Sequence, residues 1–150
     1  MNQLLLILSR FGSLLVGSLL LYAGVYKLLF PTELTAALIT IGFPDRIASS
    51  VVVALTILEL HLGVILVLKI NLRSGIRAAT ALILMFSIFL SYLCIMADPP
   101  SCGCMGLAGV FHSNRHNALL GLLRNCVALW LLKGAHDYYF PNLERESGLL

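Results

Sequence analysis

Apolar residues run almost unbroken along this chain in four stretches, and the few charged residues gather between them. The first stretch opens at Leu4 to Leu8, pauses at Ser9-Arg10 and continues from Phe11 to Phe30 with Lys27 as its one charge. Because the basic residue follows the first apolar run, the segment reads as an uncleaved anchor rather than a cleaved signal peptide. Pro31, Glu33 and the cluster Gly42-Phe43-Pro44-Asp45-Arg46 mark a connection with room for one short interfacial helix. The second stretch, Ile47 to Leu68, is interrupted only by Glu59 and His61, and the basic loop Lys69 to Arg77 leads into a third that ends near Ala97. Asp98-Pro99-Pro100-Ser101 stops it, a loop bearing Gly and Cys continues to about His116, and a fourth stretch runs from Asn117 to about Ala135.

Runs of about 20 apolar residues without period-two alternation suit helices that cross a bilayer. The pattern predicts an all-α integral membrane four-helix bundle forming a single domain over 1–150, with spans near 11–30, 47–68, 76–97 and 117–135. Tyr138, Tyr139 and Phe140 suit a headgroup-level aromatic belt, and Pro141 opens a short polar tail. Composition sharpens this reading. The 150 residues are 59% hydrophobic and 11% charged, too few polar side chains to cover a surface facing water, and a separate soluble module has no room. The formal net charge of +3 is dispersed along the chain, which excludes a nucleic-acid footprint.

With an even number of spans, the N-terminus, the loop between spans two and three and the C-terminus share a side. That side holds Arg10, Lys69, Arg73, Arg77, Lys133 and Arg145, against Lys27, Arg46 and Arg115 opposite, with Arg124 inside span four. The positive-inside rule then places both termini in the cytoplasm and the cysteine loop, between helices three and four, on the outer face. In a bacterial inner membrane that loop meets the oxidising periplasm, where a cysteine pair can form and keep a disulfide.

Polar residues inside the spans carry the next signal. Ser13, Gly17, Leu20, Gly24 and Lys27 fall on one helical stripe of span one, suited to close packing against a neighbour. Thr80, Leu84, Ser87, Ser91, Cys94 and Asp98 form a comparable line on span three, expected to point into the bundle toward the cysteine loop. An ionised Glu59 near the middle of span two costs roughly 3 kcal/mol or more, so it should face the interior and pair with Arg124 or Lys27. Such a cluster serves either as an ion pair fixing helix register or as a proton-handling or quinone-binding site. His61, about 200° further round the same helix, reads as a packing or hydrogen-bonding histidine.

The segment Pro99-Pro100-Ser101-Cys102-Gly103-Cys104-Met105-Gly106 holds two thiols one residue apart in a stretch that avoids helix. A disulfide across one residue closes a small strained ring, which suits a labile redox pair better than a structural staple. Cys94 and Cys126 form a possible second pair, against the commoner role of such residues as small apolar packers. Cys102, Cys104, His112 and His116 also make a four-ligand set for zinc or copper. Metal is the disfavoured reading, because Cys-x-Cys is tighter than the usual zinc knuckle.

Gly24-Val25-Tyr26-Lys27-Leu28, Glu59, the Cys102-Gly103-Cys104-Met105-Gly106 loop and Arg124-Asn125 together resemble the MauE branch of the DoxX-like membrane proteins, over nearly the whole chain. Met105 departs from the Cys-Gly-Cys-Phe-Gly common in that family. The resemblance implies a four-helix membrane protein tied to thiol and disulfide redox, with a thioredoxin-like partner in the MauE case and quinone-coupled sulfur oxidation in other DoxX-like members. The expected function is therefore a membrane thiol-disulfide redox protein in which Cys102 and Cys104 exchange with an exported thioredoxin-like or substrate protein. Electrons would pass to or from a membrane quinone or an inner thiol. Two further readings are a non-catalytic subunit of a larger membrane complex, whose Cys-Gly-Cys only staples a loop, and a metal-binding membrane protein.

Overall fold

The computed structural model describes the backbone of residues 2–96 and 114–146 and the side chains of residues 11–96 and 115–137. The chain forms α1 (Asn2–Leu29), α2 (Pro31–Thr40), α3 (Asp45–Leu68), α4 (Leu72–Ile95) and α5 (Asn114–Glu146), with no strand among the described residues. Helices are what lipid permits, since each satisfies its backbone groups within itself. Four of them are long and apolar enough to cross a membrane, over Phe11–Leu29, Asp45–Leu68, Leu72–Ile95 and Arg115–Asp137. The four long helices form a ring in which α1 lies against α3 and α5, and α4 against α5 and α3. Large apolar side chains coat the outside, among them Ile88 at 73% and Trp130 at 63% exposed. In water that coat would drive aggregation, whereas against lipid tails it costs nothing, so this is a multi-pass membrane protein in contact with the bilayer.

The first crossing is broken. Pro31 disfavours helical geometry at the residue before it, and Phe30 sits at φ −129°, ψ 64°, so α1 ends and α2 starts with proline in its first turn, where a missing N–H is harmless. The break lies deep. Gly24 of α1 faces Leu60 of α3, about fifteen residues or ~22 Å past the start of α3. Helix α2 carries the chain the remaining distance, burying Leu34, Ala37 and Leu38, with Leu34 and Leu38 in a core shared with Ala48, Val52, Leu90, Leu93 and Ala118. The short helix expected at the interface is thus embedded in the half of the bundle that holds the α2–α3 turn. At its end Gly42, at φ 104°, supplies the left-handed residue that lets the N–H of Phe43 reach the Leu38 carbonyl at 3.1 Å before α3 begins.

A second core fills the other half, where Val16 and Leu20 of α1 meet Leu62, Leu66, Ile76, Ala79, Ile83 and Leu132. The small-residue stripe of α1 faces inward along its length, with Ser13, Gly17, Gly24 and Lys27 all buried. It permits close approach: a Cβ on Gly17 would stand 3.1 Å from the Gly63 carbonyl oxygen, and one on Gly63 would stand 3.0 Å from that of Gly17.

The line on α4 departs from expectation. Thr80 and Ser87 are half-buried, Leu84 and Ser91 are exposed, and the buried face is instead Ile76, Ala79, Leu82, Ile83, Phe86, Leu90 and Leu93. The hydroxyls of Thr80, Ser87 and Ser91 each donate to the carbonyl four residues earlier, at 2.8 Å, and so need no interior partner. Asp98, the last member of that line, lies outside the described residues. Helix α5 also runs past the expected stop near Ala135, through Pro141 to Glu146. At 33 residues it is ~50 Å long and extends well beyond a hydrocarbon core of about 30 Å. The side chains of Tyr138, Tyr139 and Phe140, expected to form a belt, lie outside the described residues.

Candidate functional site

The deep end of α1 defines the site. Lys27 lies in the last turn of that helix, where the unpaired carbonyls favour a cation, and its Nζ donates to Glu59 Oε1 of α3 at 2.5 Å. Both side chains are about 3% exposed. Glu59 stands about fourteen residues from the start of α3 and nine from its end, or ~21 and ~14 Å, so the pair sits near the middle of that span. The Lys27 ammonium also lies 4.6 Å from the centroid of the Phe86 ring on α4, a cation-π contact that offsets part of its lost hydration. Three helices therefore converge on one charge. Lys27, which the sequence places among the outer basic residues, is withdrawn from the surface altogether.

Arg124 and Asn125 bring α5 to the same place. The Arg124 guanidinium donates to Asn125 Oδ1 at 3.3 Å, the Asn125 amide donates to Ser87 Oγ at 3.2 Å, and Ser87 donates to the Ile83 carbonyl at 2.8 Å. Asn125 is 3% exposed, so this polar chain ties α5 to α4 inside the bundle. Arg124 is close enough to act electrostatically on Glu59. Glu59, Phe86, Arg124 and Asn125 line a cavity of about 30 Å³, and Glu59 Oε2 is buried without a hydrogen-bond partner among the described residues. That volume suits about one or two water molecules, each needing two to four polar partners, which the carboxylate, guanidinium and amide supply. It does not suit a quinone ring, since small-molecule sites occupy about 300 Å³ or more.

The remaining sequence candidates are placed as follows. Cys94 is half-buried near the end of α4 against the core that α2 shares, and Cys126 is exposed on α5; both are free thiols. The Asn125–Ser87 contact fixes the register of the two antiparallel helices and leaves Cys94 about eight residues, or ~12 Å, from the level of Cys126. A disulfide needs Cα atoms about 4.4–6.8 Å apart, so the bundle does not bring this pair together. His61 is exposed on the lipid-facing side of α3, not packed inside it. His116 is exposed in the first turn of α5. Cys102, Cys104 and His112 lie outside the described residues, but the ends of their loop are tied: Arg115 Nη2 donates to the Met96 carbonyl at 3.0 Å, joining the start of α5 to the end of α4.

Sequence reasoning missed Phe86, the Ser87–Asn125 bond and the depth of Glu33, whose Oε2 is buried in the first turn of α2 without a hydrogen-bond partner among the described residues. The available signal was the stretch Phe11 to Thr40, longer than one crossing and carrying only Lys27 and Glu33 as charges on either side of Pro31.

With this geometry in place, the comparison with known proteins adds one match: the family model described as "Methylamine utilisation protein MauE" matches residues 2–135. No curated protein and no solved structure matches the chain. The protein belongs to the MauE family.

Proposed function

For this member of the MauE family, we propose a role as a membrane thiol-disulfide redox protein, with Cys102 and Cys104 as the exchanging pair and an exported thioredoxin-like or substrate protein as its partner. The observation that carries the reading is the Arg115–Met96 bond, which holds together the two helix ends from which the Cys-Gly-Cys segment extends. In this reading the joined helix ends offer the pair at one end of the bundle, where a soluble partner can reach it. The chain lies in a bacterial inner membrane with both termini in the cytoplasm.

The chemistry is exchange. A thiolate from one cysteine attacks a partner disulfide, the partner S–S bond breaks, and a mixed disulfide forms. The second cysteine then attacks that mixed disulfide, closing a Cys102–Cys104 bond and releasing the partner as a dithiol. Two electrons and two protons have moved to the partner, and the reverse sequence oxidises it. The Arg124–Asn125–Ser87 chain serves this role by fixing α4 against α5, the two helices that carry the loop.

Single Cys102→Ser and Cys104→Ser variants test it. One of them should accumulate a mixed disulfide with an exported protein, visible on non-reducing gels and lost in the double variant. Full pathway activity in both singles with no adduct would instead leave a structural subunit of a larger membrane complex.

A further inference from the structure

The small cavity beside the ion pair lies where all four long helices meet. Glu59 comes to it from α3, Phe86 from α4, Ala23 from α1, and Arg124, Asn125 and Ala128 from α5. Helical spacing puts Asn125 and Ala128, three residues apart, on one face of α5, and the buried Ala23 and Ala128 are small enough to leave the space open. Two polar systems border it. Lys27 Nζ is engaged by Glu59 Oε1 and the Phe86 ring, and Asn125 joins Arg124 to Ser87. The second carboxylate oxygen, Glu59 Oε2, is buried with no hydrogen-bond partner among the described residues, although Glu59 as a whole is only 2% exposed. A buried carboxylate oxygen without a donor is costly, and such an orphan calls for a cause.

We infer that one ordered water occupies this cavity, donating to Glu59 Oε2 and accepting from the Arg124–Asn125 pair, and so links α3 to α5. The lining selects the occupant. Oε2 calls for a donor, whereas the amide and the guanidinium call for an acceptor, and water is both. A metal cation would face the Lys27 ammonium and the Arg124 guanidinium, an anion would face the carboxylate, and an apolar molecule would leave Oε2 unpaired. A space of about 30 Å³ is also the size of one water in the liquid. The bridge makes the α1–α3 ion pair and the α5–α4 polar chain one network shared by the four spans, and it requires nothing of Cys102 or Cys104.

A crystal structure of the full chain in a lipid phase, at a resolution that shows ordered water, tests this together with one stability comparison. Water density should stand about 2.7–3.2 Å from Glu59 Oε2 and from a nitrogen of Asn125 or Arg124. Ala128→Val puts two methyl groups into the cavity and should remove that density. Because it displaces the donor of Oε2, it should lower the folding constant about tenfold, read by denaturant titration of the helical signal in detergent. In a Lys27→Met/Glu59→Met background, where no carboxylate needs the water, the same substitution should change the constant by less than about twofold. If Ala128→Val fails to assemble, Ala23→Val fills the cavity from α1 with the same pair of expected results. An empty cavity, a direct Glu59 Oε2–Arg124 bond that closes it, or an equal effect of the filling substitution in both backgrounds would overturn the assignment.

Discussion

Lys27 and Glu59 meet at 2.5 Å across the α1–α3 interface, because α1 ends beside the middle of α3. The relationship joins a backbone event to an electrostatic one. Pro31 ends the helix, the helix end favours a cation, and the cation neutralises the carboxylate that α3 carries inward. Removing one partner leaves the other charge buried alone. Glu59→Ala or Lys27→Ala should therefore destabilise the bundle by about 3 kcal/mol or more, while Lys27→Met/Glu59→Met should recover most of the loss. Denaturant titration of the helical signal in detergent reads the cycle, and additive losses in the double variant would mean that the two side chains act independently.

Close approach of α1 and α3 rests on paired glycines. A side chain at Gly63 would bring its Cβ to 2.7 Å from Leu21 Cγ, and Gly63→Val should cost about 1–3 kcal/mol through forced separation of the helices. Gly134 meets nothing within 4 Å, so Gly134→Ala should be neutral or stabilising by up to about 1 kcal/mol. The two variants compared by thermal unfolding separate interface geometry from helix propensity.

The Asn125–Ser87 bond links α5 to α4 inside the protein. Ser87→Ala should cost about 0.6 kcal/mol, the usual scale for a hydrogen bond between membrane helices, and should bring no further loss in an Asn125→Leu background. A large effect of Ser87→Ala in that background would assign Ser87 another role.

Much of this was legible in the sequence, and the failures have physical causes. Insertion cost alone placed Glu59 inward and narrowed its partners to Lys27 and Arg124; the choice between them depended on where α1 ends, which hydropathy does not report. Pro31 reads equally as a turn in a loop or a break within a span, and only the packing of Leu34 and Leu38 decides between them. The hydroxyl line on α4 misled because serine and threonine satisfy themselves on their own helix, so helical polar spacing does not require burial. Pro141 misled in the other direction, since α5 continues through it to Glu146.

Withdrawal of Lys27 into the ion pair changes the charge balance across the membrane. The end with the α3–α4 turn keeps Lys69, Arg73, Arg77 and Lys133, and the other end keeps Arg46 and Arg115. Both termini should then be cytoplasmic. Alkaline phosphatase fused after Leu150 should be inactive, and a thiol reagent that cannot cross membranes should label reduced Cys102 or Cys104 from outside. The opposite pattern would place the pair in a reducing compartment and remove the basis for exchange with an exported protein.

The reduction potential of the Cys102–Cys104 pair tests the central claim most directly, measured by thiol trapping across a glutathione series in a Cys94→Ser/Cys126→Ser background. A pair one residue apart encloses almost no chain, so as a staple it would remove little unfolded-state entropy; as a redox couple its ring strain makes it easy to reduce. The account predicts a potential well above about −300 mV, in the range of exchanging dithiols. A value below about −300 mV, or two cysteines that never pair with each other, would contradict it.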